Sequence, residues 1–132
     1  MIVELSPSQS AALKTMLRKR FEALRDVLHE ALLKSDDDRA KLLADSVRDA
    51  EDESVADLLI DLDLAEVDRH LEELRDVEGA LGRLQQKTYG SCMSCTGSIP
   101  YERLAAYPTA KRCYRCQRVH EKTYAEKATP SL

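Results

Sequence analysis

Four cysteines, Cys92, Cys95, Cys113 and Cys116, constrain this chain more than any other feature. They are its only cysteines, and they read C-x2-C-x17-C-x2-C. Each C-x-x-C turn presents two sulfurs on one edge of a tetrahedron, and a zinc ion joins two such edges. The intervening 17 residues must leave and return as a compact excursion. A shell of four sulfurs leaves no open position, so one structural zinc is expected rather than a catalytic one. A thiol-based redox switch is the other reading of the same residues. Met1-Ile-Val-Glu-Leu5 opens no signal peptide, so a cytoplasmic chain without disulfides is expected.

The residues before Cys92 have a different character. Ser6-Pro7-Ser8-Gln9 carries a capping box with proline at the first helical position. Leu13, Leu17, Phe21, Leu24, Leu28 and Ala31 then recur at steps of four and three. That spacing makes a narrow seam on one helix. Leu32, Leu33, Leu42, Leu43 and Val47 can extend the helix toward residue 47, and Ser35-Asp36-Asp37-Asp38 can break it or cap a second segment. A second start stands at Ser54, with Asp57 three residues on. Val67, His70, Leu74, Val77, Leu81, Leu84 and Thr88 continue as another seam, predicting a helix over 54–88. At ~1.5 Å per residue such a helix spans roughly 50 Å. Two helices with single seams bury them against each other as an antiparallel hairpin. The leucines read as core, and His70 as a packed histidine.

The fold class expected is therefore all-α: a long antiparallel α-hairpin, or coiled coil, over residues 1–88, and a four-cysteine zinc-finger module with a C-terminal helix over 89–132. The joint of the hairpin, around 45–54, is acidic. Residues 35–53 carry eight acidic and three basic groups, whereas 91–132 carry three acidic and seven basic. An acidic middle repels phosphates and suits a basic or metal-containing partner. Carboxylates at Asp45, Asp49, Glu51, Asp52 and Glu53 read either as a solvated loop beside a helix N-terminus or as a probe for a partner's cleft. No apolar run reaches the ~20 residues of a membrane helix. No nucleophile–base pair stands out, so no enzymatic activity is expected.

Between the cysteine pairs, Pro100 opens and Pro108 closes a short helical turn. Gln117–Lys127 reads as a final basic helix, with Tyr114, Val119 and Tyr124 able to pack it back on the hairpin. Tyr89-Gly90-x-Cys92-x-x-Cys95, Ile99, Arg103-Leu104, Ala106, Pro108 and Cys113-x-x-Cys116 together resemble the DksA/TraR family of bacterial transcription regulators. The resemblance covers the cysteine module in detail and the hairpin in pattern.

The resemblance implies a regulator that binds RNA polymerase directly and has no sequence-specific DNA contact. Its acidic coiled-coil tip would enter the secondary channel near the catalytic Mg2+, often together with ppGpp. The family's tip motif, D-x-x-D-x-A, falls on Asp49, Asp52 and Ser54 when counted back from Cys92 without gaps. Ser54 thus stands where alanine is usual, and Thr96 where glycine is usual after the second cysteine, with Gly97 available to take up the turn. The N-terminal region is shorter than in the longest members. A monomer is expected. The alternative function is a zinc-ribbon nucleic-acid binder, in which Lys111, Arg112, Arg115, Arg118 and Lys122 contact phosphates beside Tyr107, Tyr114 and Tyr124. A zinc-stabilised scaffold without a polymerase role is a third.

Overall fold

The computed structural model describes residues 5–50 and 54–128, with side chains to Ala125. Asp52, its neighbours Glu51 and Glu53, and the Thr129–Leu132 tail lie outside the described residues. Among the described residues six helices follow in order: α1 (Pro7–Lys34), α2 (Asp38–Asp49), α3 (Val55–Leu59), α4 (Ala65–Gln85), α5 (Tyr101–Ala106) and α6 (Tyr114–Ala128). The all-α class, the antiparallel helix pair and the cysteine module are as the sequence indicates. The lengths of the helices are not.

Helix α1 begins as its residues dictate. Ser6 Oγ accepts from the Gln9 N–H at 3.1 Å, and Gln9 Oε1 accepts from the Ser6 N–H at 3.0 Å. Leu13, Leu17, Phe21, Leu24 and Leu28 are buried, and the seam ends on Leu32 rather than on Ala31. The helix does not reach residue 47. It stops at Lys34, and Asp37 caps a new helix by accepting from the Arg39 N–H at 2.8 Å. Asp and Ser compete with helical hydrogen bonding through their own side chains, which makes 35–37 a natural break.

Helix α2 runs back along α1. The His29 ring donates from Nδ1 to the Ala44 carbonyl at 2.9 Å, and Arg25 Nη1 donates to the Ala50 carbonyl at 3.0 Å. The second bond places a cation on the C-terminal carbonyls of α2, where the helix dipole favours it. Ala40, Ala44, Val47 and Ala50 supply the buried face of α2.

The predicted 54–88 helix is divided. Ser54 does cap its start, accepting from the Asp57 N–H at 3.3 Å, and Glu78 Oε1 accepts from the Ala56 N–H at 3.0 Å. The helix then ends at Leu59. A turn follows at Ile60 and Asp61, with the Leu62 N–H donating to the Leu59 carbonyl at 3.1 Å, and in Asp61-Leu62-Asp63-Leu64 the leucines are buried or half-buried while the aspartates are exposed. Leu64 is extended, at φ −122° and ψ 122°, and α4 starts after it. Helix α4 returns antiparallel to α1, with Arg20 and Glu73 forming a bidentate ion pair across the two. It ends three residues before Thr88. There Lys87, at φ 63°, lets the Thr88 N–H reach the Arg83 carbonyl at 2.8 Å, closing a Schellman turn.

The main core therefore lies among α1, α2, α3 and α4. A second, small core of Leu13, Cys92, Ile99, Leu104 and Ala110 joins the base of α1 to the cysteine module. Among the described residues no helix is long and apolar enough to cross a membrane.

Candidate metal centre and acidic ends

The cysteine module is a short loop ladder closed on four sulfurs. Gly90, at φ 91°, turns the chain out of α4, and a paired Ser91 and Ser98 bracket the first C-x-x-C turn. The Cys92 N–H donates to Gly97 O at 2.7 Å, the Thr96 N–H to Cys92 O at 3.0 Å, and the Ile99 N–H to Gly90 O at 2.7 Å. The second pair is drawn in by the Met93 N–H, which donates to Lys111 O at 2.9 Å. Arg103, on α5, donates from Nε to the Arg112 carbonyl at 2.9 Å and so fixes the approach to Cys113.

All four Sγ atoms lie within 4.8 Å of one another, and Cys95 and Cys113 are separated by 3.9 Å. A tetrahedron with Zn–S bonds near ~2.3 Å has edges of about 3.8 Å. The four predicted ligands are thus brought together at the spacing zinc requires, and the donor set fits one structural Zn2+. Cys92 is buried, Cys95 exposed and the other two half-buried.

The thiols are prepared unequally. Burial opposes ionisation of Cys92, but N–H groups donated by Cys95, Cys113 and Ser94 outweigh it and hold the thiol at about 6. The Cys116 N–H lowers Cys113. Cys116 is pushed up to about 12, chiefly by its hydrogen bond with Cys113. Metal binding at such a cluster displaces thiol protons, so its affinity rises with pH.

The module is tied to the body at two further points. Tyr89 Oη donates to Pro108 O at 2.7 Å, and burial pushes this phenol up to about 12. Lys111 Nζ pairs with Asp76 Oδ1 of α4 at 2.9 Å. Helix α6 does not pack back on the hairpin. From Tyr114 to Ala125 none of its residues is buried, with Tyr114, Val119 and Tyr124 53%, 60% and 69% exposed.

Thr96 takes the positive φ, 61°, and Gly97 does not relieve it. The residue after the second cysteine therefore adopts the left-handed conformation that glycine would adopt freely.

The acidic residues divide between two places. Asp49 ends α2 beside Arg48, whose Nε lies 3.4 Å from its Oδ1. This point lies alongside Arg25, well short of the end of α1. Ser54 faces a cleft of about 880 Å³ on the flank of the bundle, lined also by Lys14, Arg18, Phe21, Gly79 and Gly82. The end of the helical body farthest from zinc is built instead by 35–37 and 60–64, with Arg39 Nη2 donating to Asp61 O at 3.3 Å. Asp36, Asp38, Asp61 and Asp63 are exposed there. The described residues on either side of 51–53 thus lie on the flank of the bundle, because the chain has already doubled back at Ser35. The alternation of Asp61-Leu62-Asp63-Leu64 is the sequence signal that could have marked the true end.

A zinc-binding module of four cysteines mounted on a helical hairpin defines the class of this protein. Residues 87–122 match the prokaryotic dksA/traR C4-type zinc finger. The chain is 31% identical over 98 residues to the RNA polymerase-binding transcription factor DksA of Buchnera aphidicola, covering 74% of this chain and 62% of that protein. It is 40% identical over 63 residues to general stress protein 16O of Bacillus subtilis, covering 48% and 37%. Under two thirds of either relative's length is therefore spanned. The DksA protein of Escherichia coli is 26% identical over 89% of this chain and 74% of its own length. The structure of transcription factor DksA2 from Pseudomonas aeruginosa superposes with a TM-score of 0.59 at 20% identity, over 91% of this chain and 88% of that one, a likeness of fold. Residues 87–122 are thus similar to a prokaryotic dksA/traR C4-type zinc finger, and the chain as a whole resembles DksA proteins in sequence and in fold.

Proposed function

We propose that this protein is a cytoplasmic, monomeric regulator that binds RNA polymerase and modulates transcription initiation without catalysing a reaction. The observation that carries the reading is the zinc module. Residues 87–122 match the dksA/traR C4-type finger, the chain is similar to relatives named as polymerase-binding factors, and the four sulfurs close at zinc spacing. The module mounts an acidic helical body, which delivers negative charge into the polymerase secondary channel, with or without ppGpp. By preferring one promoter complex, the body shifts the polymerase's own equilibrium.

Two acidic groups are candidates for the part that enters. Register from Cys92 favours Asp49 and Asp52, next to Ser54. Position in the fold favours Asp61 and Asp63, at the end remote from zinc. The test is transcription from a ribosomal RNA promoter with purified polymerase, with and without ppGpp. The zinc-loaded chain is expected to change open-complex lifetime. Asp49→Asn with Asp52→Asn should abolish the effect while polymerase binding persists, if the register governs. The same outcome from Asp61→Asn with Asp63→Asn instead would move the tip to the remote end. A chain that neither binds polymerase nor alters transcription in either condition would overturn the proposal.

A further inference from the structure

The cations of the zinc module are not equivalent. Lys111 is engaged by Asp76, Arg112 Nε donates to Ser94 Oγ at 3.1 Å, and Arg103 is held on the Arg112 carbonyl. Arg115, Arg118 and Lys122 make no ion pair among the described residues, and all three are exposed. Their spacing of three and four puts them on one face of α6. Arg115 to Lys122 spans ~10 Å of helix at ~1.5 Å per residue. That is about three nucleotide steps at ~3.4 Å each along one strand.

The stripe begins beside an ordered aromatic platform. The Arg103 guanidinium lies 4.8 Å from the Tyr114 ring centroid and 5.8 Å from that of Tyr107. Its position is fixed by the Arg112 carbonyl, so the two tyrosines are held by the cation–π contacts. Yet they remain 53% and 51% exposed. Exposed ring faces next to unpaired cations match the two needs of an unpaired strand, stacking for bases and positive charge for phosphates. A carboxylate-rich protein surface would use the cations and leave the rings without a role. From Tyr114 to Ala125 none of the residues of α6 is buried against the rest of the molecule.

We propose that α6 and the Tyr107–Arg103–Tyr114 stack form a sequence-independent binding surface for single-stranded nucleic acid. The acidic helical body, −8 over residues 1–90, repels the strand and confines it to this end. The surface is separate from the acidic ends and independent of the polymerase reading.

The test is fluorescence anisotropy of the zinc-loaded full chain with a labelled 15-nucleotide oligo-dT and with a 15-base-pair duplex. The single strand is expected to bind more tightly than the duplex. Three phosphate contacts give a slope of about −2 in log affinity against log salt, or a roughly 20-fold weakening from 50 to 200 mM salt. Arg115→Ala/Arg118→Ala/Lys122→Ala should lower affinity more than 10-fold and flatten the slope, with circular dichroism and zinc content unchanged. Tyr114→Ala should weaken binding about 10-fold with the slope retained. No binding at 50 mM salt, equal binding by the triple variant, or a preference for duplex would overturn the proposal. Displacement by poly-glutamate as effective as displacement by unlabelled oligo-dT would also overturn it, in favour of an acidic protein surface.

Discussion

Thr96 carries a conformational cost at the centre of the metal site. Its φ of 61° brings the β-branched Cβ against its own backbone, a conformation costing roughly 1–2 kcal/mol for an L-residue. Part of this is offset locally, since Thr96 Oγ1 donates to the Cys95 carbonyl at 2.6 Å. The position cannot relax, because the Thr96 N–H is committed to Cys92 O and the Cys92 N–H to Gly97 O. Those bonds aim the first two sulfurs. Glycine removes the clash and retains both N–H groups. Thr96→Gly is therefore expected to stabilise the zinc-loaded protein by about 1 kcal/mol. For a chain of this length that is a rise in Tm of about 4 °C. Calorimetry checks this, and Thr96→Val serves as control. Valine keeps the strain and loses the hydroxyl bond, so it should melt lower than the parent. A glycine variant that melts lower as well would show that the hydroxyl, rather than the φ, decides the site.

At the scale of elements, what the sequence disclosed depended on how local the cause was. The capping box at Ser6 and Gln9 and the cap at Ser54 each rest on residues within a few positions of one another, the four-sulfur site rests on two such C-x-x-C pairs 17 residues apart, and each is found as the pattern indicates. The joints were only partly legible. Ser35-Asp36-Asp37-Asp38 could be read as a break or as part of one helix to residue 47, and the leucines did not decide it, since α2 buries Ala40, Ala44 and Val47 and leaves Leu42 exposed. Only tertiary bonds, such as Arg25 to Ala50, select the reversal. The break before α4 was present in the Asp-Leu alternation but was hidden by the seam on either side. Arg20 and Glu73 are likewise a non-local pair, joining α1 to α4. The hydrogen bond from Arg20 lowers the Glu73 carboxyl below its ordinary value, and Glu73 in turn raises Arg20. A lowered folded-state value means stability that is present above about pH 4.3 and lost as pH falls through the folded value. The pair is half-exposed, which limits its worth to at most about 1 kcal/mol. Urea unfolding of the parent and of Glu73→Gln should therefore differ slightly at pH 6 and converge near pH 3. Loss of zinc in acid is common to both proteins and cancels in the difference. High salt should narrow the gap at pH 6.

The whole molecule is two cores of very unequal strength, and this decides what zinc does. The helical core contains Leu17, Phe21, Leu24, Leu28, Leu32, Leu59 and Leu74, all buried without help from any cysteine. The smaller core has five buried residues, one of which is Cys92 itself. Helix α6 has no buried residue from Tyr114 to Ala125, and its first turn carries Cys116. So little apolar area at the module end does not offset the entropy of ordering its residues, roughly 1–2 kcal/mol each for the backbone alone. Metal binding must supply the remainder. The Lys111–Asp76 pair cannot, since it is partly exposed. Chelation under reducing conditions is therefore expected to melt the module and free α6 while the helical body persists. Hydrogen exchange should show fast amides at Cys92, Met93, Thr96 and Ile99, which are bonded within the module, against protected amides at Leu24 and Leu28. Circular dichroism should lose the helical signal of α5 and α6 and keep that of α1 and α4. Restoring zinc should reverse both changes. A single transition in which α1 exchanges together with the module would mean that Leu13, the one residue α1 contributes to the smaller core, couples the two cores into one cooperative unit.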